Sequence, residues 1–520
     1  MSDFLDEDET VVETKNLKKD LITFLVKKEN IEQLVTYVVD DPPQDAPTKV
    51  KFRYPVVACE ILCSEVNDIE MVLMKDTTML NRIFDFFKKK KINLLLANLV
   101  LKIAKTLTIT KTELIFKYLQ DRPSFIDSFL THLESAAVPE YFSGIVSISG
   151  EKGGIDTQKF LSQQNFAEKI IGKFETEQQD LYPDIAAAVL DVVGAASWGG
   201  RLMNDFVSER IAKMLLRIMM VAKNWKAFKY GMKILNRVLR AVAVAQDLEV
   251  DEDKASSCPP KPDPAGPMSQ LPPVVQVFVS HLPKFSEILK NSNSSIKKNT
   301  NFGFERLYLL ETLETLISLN YVAVQKVLLE SDIFKIAFDL VYQFPQNNIC
   351  HKAVEGVITK FLDQLQPEDI TRSCDKMNLI KRLTDSERLI TEALQKKERH
   401  PPYIPYLHRI GFAVYLLGGK SPFIKSYLES DPKWGAFIER VISERKKNEA
   451  LSSKMKATAQ DDLAFTTDPE NDQEDSDDEE NNPDLLLDED KDLDSANDAE
   501  DYEIDQSEIL LTKQEVEAFA

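Results

Sequence analysis

Arg53-Tyr54-Pro55-Val56-Val57-Ala58-Cys59-Glu60-Ile61-Leu62 reads as a helix that is apolar on nearly every face. Pro55 falls in the first turn, where a helix tolerates it because that position's N–H lacks an intrahelical partner anyway. After it, Val56, Val57, Ala58, Cys59, Ile61, Leu62 and Cys63 leave only Glu60 polar before Ser64. A helix that is hydrophobic all round is held between neighbours instead of lying on a surface. Glu60 is therefore expected to be enclosed and to have a partner. Outward from this stretch, Leu17, Leu21, Phe24 and Leu25, then Ile31, Leu34, Val35 and Val38, recur at the spacing of an amphipathic helix. The pattern returns from Leu80 to Phe87, Leu94 to Leu107, Phe206 to Met220, Phe228 to Val244 and Phe304 to Leu319. Strand-like alternation is confined to Ile145-Val146-Ser147-Ile148. Helical segments of ten to eighteen residues between short polar turns predict an all-α HEAT/armadillo-like solenoid. No motif recurs at a constant period, so its repeats are degenerate.

Residues 1–13 read as an acidic N-terminal segment, 14–250 and 274–450 as two halves of the solenoid, and 451–520 as a disordered acidic tail. Between the halves, residues 251–273 hold seven prolines, which fix φ and remove backbone donors, so a mobile extended loop is expected there. A linker between independent domains is the other reading. The net charge of −21 is uneven: Asp461 to Ala520 carries 25 acids against two lysines, net −23. The remaining 460 residues carry 60 acids and 62 bases, net +2. A neutral body is not built to hold nucleic-acid phosphates. In the tail, Ser476 is followed by four acids and fits an acidophilic kinase. Leu485-Leu486-Leu487 and Ile509-Leu510-Leu511 are either docking elements or incidental.

The five cysteines (59, 63, 258, 350 and 374) are odd in number and widely spaced, which points to a reducing compartment over a disulfide framework. Cys59 and Cys63 face the same way on one helix, but no second ligand pair completes a metal site, and no cofactor is implied. The N-terminus lacks the pattern of a signal peptide, and no apolar run of about 20 residues predicts membrane insertion. The chain is expected in the cytoplasm, with the nucleus as a second location. Two-metal phosphatase, G-x-S-x-G, H-E-x-x-H and kinase motifs are missing, so catalysis is not expected. Ser149-Gly150-Glu151-Lys152-Gly153-Gly154 lacks the order of a phosphate loop and reads as a turn. Lys88 to Lys91 is either a nuclear-targeting patch or the cationic end of the preceding helix. Trp198, Trp225 and Trp434 read as packing residues.

The all-apolar stretch resembles the signature helix of the SAPS-domain proteins, the regulatory subunits of the type six (serine/threonine) protein phosphatase. Similar blocks follow in collinear order: Leu5 to Glu9, Asp20 to Leu25, Glu32 to Val35, Asp41-Pro42-Pro43, Ile92 to Ala97, Phe125 to Ala137, Gln346 to His351 and Tyr406 to Ile410. The resemblance covers residues 1 to 445 in patches, and 140 to 320 match poorly. It implies a non-catalytic subunit that binds the phosphatase catalytic subunit and directs it to substrates in cell-cycle and stress signalling. An ankyrin-repeat protein is implied as a possible third component. Arg53, Tyr54, Glu60, Asn93, Asn347, Asn348, His351, His408 and Arg409 are the candidate partner-binding residues. Asn347, Asn348 and His351 also suit capping and turn roles before a helix Lys352 to Leu362. Two departures from the family's pattern stand out: no aromatic-rich N-terminal extension precedes the acidic segment, which predicts a weaker or differently arranged contact, and the tail is short and acidic where relatives are Ser- and Pro-rich. The alternative is a helical-repeat transport adaptor that binds cargo peptides, although three irregular Trp do not make its groove ladder.

Overall fold

The computed structural model describes residues 1–75, 77–122, 124–148, 156–175, 179–196, 200–221, 225–247, 263–291 and 301–464. Ser476, the two leucine-containing tail patches, the Ser149–Gly154 turn, Trp198, Cys258 and residues 251–262 lie outside them. Among the described residues the regular structure is helical and contains no strand. The chain divides into two compact units, residues 1–410 and 411–520.

The first unit is a stack of helical repeats. Seven of its helices form one row, each packed on the next: α1 (Tyr54–Leu62), α2 (Leu94–Thr110), α3 (Ala137–Val146), α4 (Tyr182–Ala195), α5 (Trp225–Asp247), α6 (Phe304–Ser318) and α7 (Asn348–Asp363). Their first residues are 40, 43, 45, 43, 79 and 44 positions apart. In α2, Leu96, Ala97, Val100, Leu101, Ile103, Ala104 and Leu107 are all buried, because neighbours cover the helix from both sides. A second row lies behind, where Lys28–Val39 packs on Thr77–Phe84 and Leu282–Lys290 on Ile333–Gln343.

The long step between α5 and α6 spans the proline-rich segment, yet α5 and α6 pack directly. Residues 263–273 are tied down: the Pro264 carbonyl accepts from Val322 N–H at 2.9 Å, Val274 N–H donates to Val207, and Leu271 is buried. Residues 145 and 146 end α3 as helix, so the strand read at 145–148 is corrected; Tyr141, Phe142, Ile145 and Val146 form one buried face at helical spacing. In the basic run, Lys88 pairs with Asp85. Lys89 reaches the terminal carbonyl of a neighbouring helix, Val39, at 2.9 Å, and lies over the Phe86 ring. The cation thus serves the negative end of an adjacent helix as well as its own.

A polar ladder crosses the repeats. Arg82–Asp40, Lys102–Glu60, Lys169–Asp127, Arg210–Glu168, Arg217–Glu175 and Arg372–Glu330 are each 42 residues apart. Lys49–Asp6 and Arg382–Asp339, at 43, extend the series. In every one of these pairs the base stands on the later repeat and the acid on the earlier one. Each is largely exposed and worth about 0–1 kcal/mol. Their shared spacing reports the repeat length that no single residue type reveals.

A cation is buried outright within the first unit. Arg306, fully enclosed near the start of α6, donates from Nε to the Leu289 carbonyl at 2.8 Å and from Nη2 to Lys290 at 3.1 Å. Its Nη1 donates to Asn301 and Phe302, each at 3.1 Å, and the guanidinium lies over the Phe344 ring. The Leu289 and Lys290 carbonyls end the helix Leu282–Lys290, where a cation is favoured.

The second unit comprises residues from Gly411, including the end of helix Ile404–Lys420, then Pro422–Glu429 and Trp434–Ala464. Ser421 caps the middle helix by accepting from Ile424 N–H. Trp434 is buried against Phe437, with ring centroids 5.5 Å apart, and Arg445 lies over Phe412. Trp225, in the first unit, is half-buried.

Replacing Arg306 by Met removes the donors of four carbonyls while keeping the volume roughly filled. Stranded buried polar groups set the cost at about 3–5 kcal/mol. Urea unfolding followed by far-UV circular dichroism is expected to show the first transition at clearly lower denaturant; an unmoved midpoint would contradict this account of the clamp.

Candidate partner-binding surface

The apolar helix α1 is entered through a π-helical turn, Lys49–Arg53, and Pro55 stands in its first turn. Two short helices of the acidic opening segment, Ser2–Asp6 and Thr10–Lys15, pack against α1. Arg53 holds that segment in place: Nε donates to the Leu5 carbonyl at 3.0 Å, and Nη2 donates to the Asp6 carbonyl and the Asp8 carboxylate. Lys49 adds an ion pair to Asp6 at 2.6 Å, which holds that carboxyl below its usual range. Tyr54 is buried, its ring edge-on to Tyr37 at 5.4 Å.

Glu60 is not enclosed as the sequence suggested. Its side chain is 34% exposed and pairs with Lys102 of α2. Neighbours do not seal α1 completely, and the face left open carries Glu60 together with apolar residues. Phe52 is 57% exposed and Val56 41%. With Glu7, Asp8, Val11, Arg53 and Val57 they line an open cleft of about 440 Å³. Val12, on the same short helix as Val11, is 58% exposed. Asn93 caps α2 by accepting from Leu95 N–H at 3.1 Å, and Leu94 beside it is half-exposed. Phe52 and Val56 were invisible to a reading that took every apolar residue near α1 as core. The only sequence signal was that the apolar run continues on faces where a sandwiched helix needs no side chain.

The C-terminal candidates come together in a second place. Asn347 caps α7, its Oδ1 accepting from Cys350 N–H at 2.8 Å, so the helix starts at Asn348, ahead of the Lys352 start read from sequence. Asn348 and Ile349 are exposed at its first turn. His351 is fully buried, Nε2 lying 2.9 Å from the Phe344 carbonyl, between the rings of Tyr403 and Tyr406. His408 is buried as well. Arg409 donates to Glu355 at 2.8 Å and stacks over Tyr406 while remaining partly exposed. The block Gln346 to His351 is therefore joined to Tyr403 to Arg409 by packing, and of the candidate residues in them only Asn348 and Arg409 are exposed. Among the described residues no cluster of three His, Cys, Asp or Glu side chains is placed to hold a metal, and no helix is long and apolar enough to cross a membrane.

Burial pushes the His351 imidazole below its ordinary value, against a smaller opposing effect of the Phe344 carbonyl. The unfolded chain then takes up this proton first, at about pH 6.5. Stability from this residue is present above that pH and declines as pH falls through it. Thermal melts at pH 7.5 and 5.5 are expected to show a lower midpoint at pH 5.5, with a smaller difference in His351→Gln.

The sequence profile described as SAPS, SIT4 phosphatase-associated protein, matches residues 104–328 and 322–451. The chain is 23% identical over 383 residues to "Serine/threonine-protein phosphatase 6 regulatory subunit 3-B" of Xenopus laevis, covering 70% of this chain and 44% of that protein. It is 21% identical over 494 residues to regulatory subunit 1 of Homo sapiens, covering 86% and 56%. Against regulatory subunit 2 of Mus musculus it is 24% identical over 400 residues, covering 71% and 42%. The chain thus spans about half the length of these relatives.

Proposed function

The chain belongs to the SAPS family of SIT4 phosphatase-associated proteins, and from that membership we propose that it is a non-catalytic regulatory subunit of a type six serine/threonine protein phosphatase. It binds the catalytic subunit and directs it to substrates. The observation that carries this reading is the profile match, which runs from residue 104 to 451. The stacked repeats suit the role: a solenoid offers a long surface on which a globular enzyme and its substrate are held together. Holding both on one chain raises their effective concentration without any new chemistry. An ankyrin-repeat protein as third component is part of the same proposal and rests on the family resemblance alone.

Within this reading the cleft beside α1 is the primary contact. Phe52, Val56 and Val57 supply apolar anchors, and burying such side chains at an interface dominates affinity. Glu7 and Asp8 form an acidic rim that favours a partner with basic residues around its own apolar contact. Arg53 and Glu60 act indirectly, the first by fixing the acidic segment and the second by pairing across to α2.

The test is co-expression of the tagged full-length chain with the phosphatase catalytic subunit, followed by affinity purification at physiological salt. Stoichiometric recovery is expected with the unaltered chain. The double substitution Phe52→Asp and Val56→Asp is expected to weaken binding at least about 30-fold, as for a lost hot spot of 2 kcal/mol or more. Its melting curve is expected to stay unchanged, because both side chains are exposed. No recovery with the unaltered chain would refute the regulatory reading; full recovery with the double variant would refute the cleft.

A further inference from the structure

Cys59 and Cys63 stand four residues apart, so the winding of α1 brings them to one side. Their Sγ atoms are 3.9 Å apart, and both are free thiols. Cys59 is fully buried, its thiol also pointing at the Leu99 carbonyl of α2 at 3.5 Å. Cys63 is half-buried and sits just past the last helical residue, at φ −98° and ψ 13°. Cys63 is thus the more exposed of the two and already lies outside the helix, while Cys59 is enclosed.

We propose that Cys59 and Cys63 form a reversible modification site that takes hydrogen peroxide as its oxidant and closes to a disulfide. The Cys63 sulfur attacks one peroxide oxygen, the O–O bond breaks, and hydroxide leaves to take up a proton as water. Cys63 becomes a sulfenic acid, oxidised by two electrons, while the peroxide is reduced. The Cys59 sulfur then attacks the Cys63 sulfur, the S–O bond breaks, and a second water departs with the Cys59 proton. A dithiol reductant returns both thiols.

The surroundings favour this order. The Cys59 contact, and less strongly the Thr106 hydroxyl and the Lys102 ammonium, draw the Cys63 thiol below its usual range, while burial and Glu60 oppose them. The hydrogen bond with Cys63, together with burial, holds the Cys59 proton on. Residues four apart on a helix have Cα atoms about 6 Å apart, within the span that a disulfide bridges. The sulfurs must still approach to about 2.05 Å, a movement that falls on Cys63 and the turn after it. Cys350 and Cys374 are a contrast within the same molecule: both are buried with no second thiol beside them among the described residues, and burial pushes each up to about 12.

The experiment uses the full chain carrying Cys258→Ser, reduced, freed of reductant and exposed to graded hydrogen peroxide. Remaining thiols are alkylated under denaturing conditions, and the digest is read by mass spectrometry. The peptide holding Cys59 and Cys63 is expected two hydrogens lighter and unalkylated, at peroxide doses at least about tenfold below those that consume Cys350 or Cys374. Dithiothreitol is expected to restore it. In Cys59→Ser, Cys63 is expected to stop at the sulfenic acid and be trapped by dimedone. Full alkylation of Cys59 and Cys63 at doses that oxidise Cys350, or loss of both thiols only through linkage between chains, would overturn the proposal. Because the decisive reading comes from the chain with both thiols intact, misfolding of the Cys59 variant would not rescue it.

Discussion

A helix with apolar side chains almost all round must be covered on most of its faces, and most of this molecule follows from that constraint. The buried set on α2 wraps the helix so far that one neighbour cannot cover it. Covering it needs α1 on one side, α3 on the other and the second row behind. Each fully buried Leu or Ile contributes about 1.5–3 kcal/mol, but only once those neighbours are present. No single repeat covers such a helix alone, so each depends on its neighbours.

Hydrophobic burial does not by itself say which repeat stands next to which, since one apolar face resembles another. The ladder of acid–base pairs at a spacing of about 42 supplies that information. Individually weak, the pairs penalise any register that sets like charges opposite one another. The helix Leu282–Lys290 and the start of α6 solve a different problem with the same kind of group, a cation. Here Arg306 is buried, and it is tolerable because its guanidinium donates to four backbone carbonyls.

The helical class was legible because hydrophobic periodicity is local: Leu94 to Leu107 announces α2 without reference to any other part of the chain. The repeat length was not, because the ladder pairs unlike residues. Lys102 answers Glu60 and Arg210 answers Glu168, so a search for recurring identical residues finds nothing. The candidate site was legible only in part. Asn93 and Asn347 stood in blocks that the family resemblance marked, and both prove to be helix caps. His351 and Tyr54 stood out for their chemistry, and both are enclosed. Phe52 and Val56 were passed over because exposure of an apolar residue is decided by what fails to pack on it, which depends on distant segments. Arg306 was hidden for the same reason, its acceptors coming from two stretches of chain on either side of it in space.

Those two stretches give the Arg306 clamp a further meaning. Leu289 and Lys290 precede residues 292–300, and Asn301 and Phe302 follow them, so one guanidinium grips the chain where it leaves and where it returns. The separation of the two ends is then independent of how many residues lie between. The position is one where a repeat protein can acquire new sequence over evolutionary time without disturbing the helices on either side.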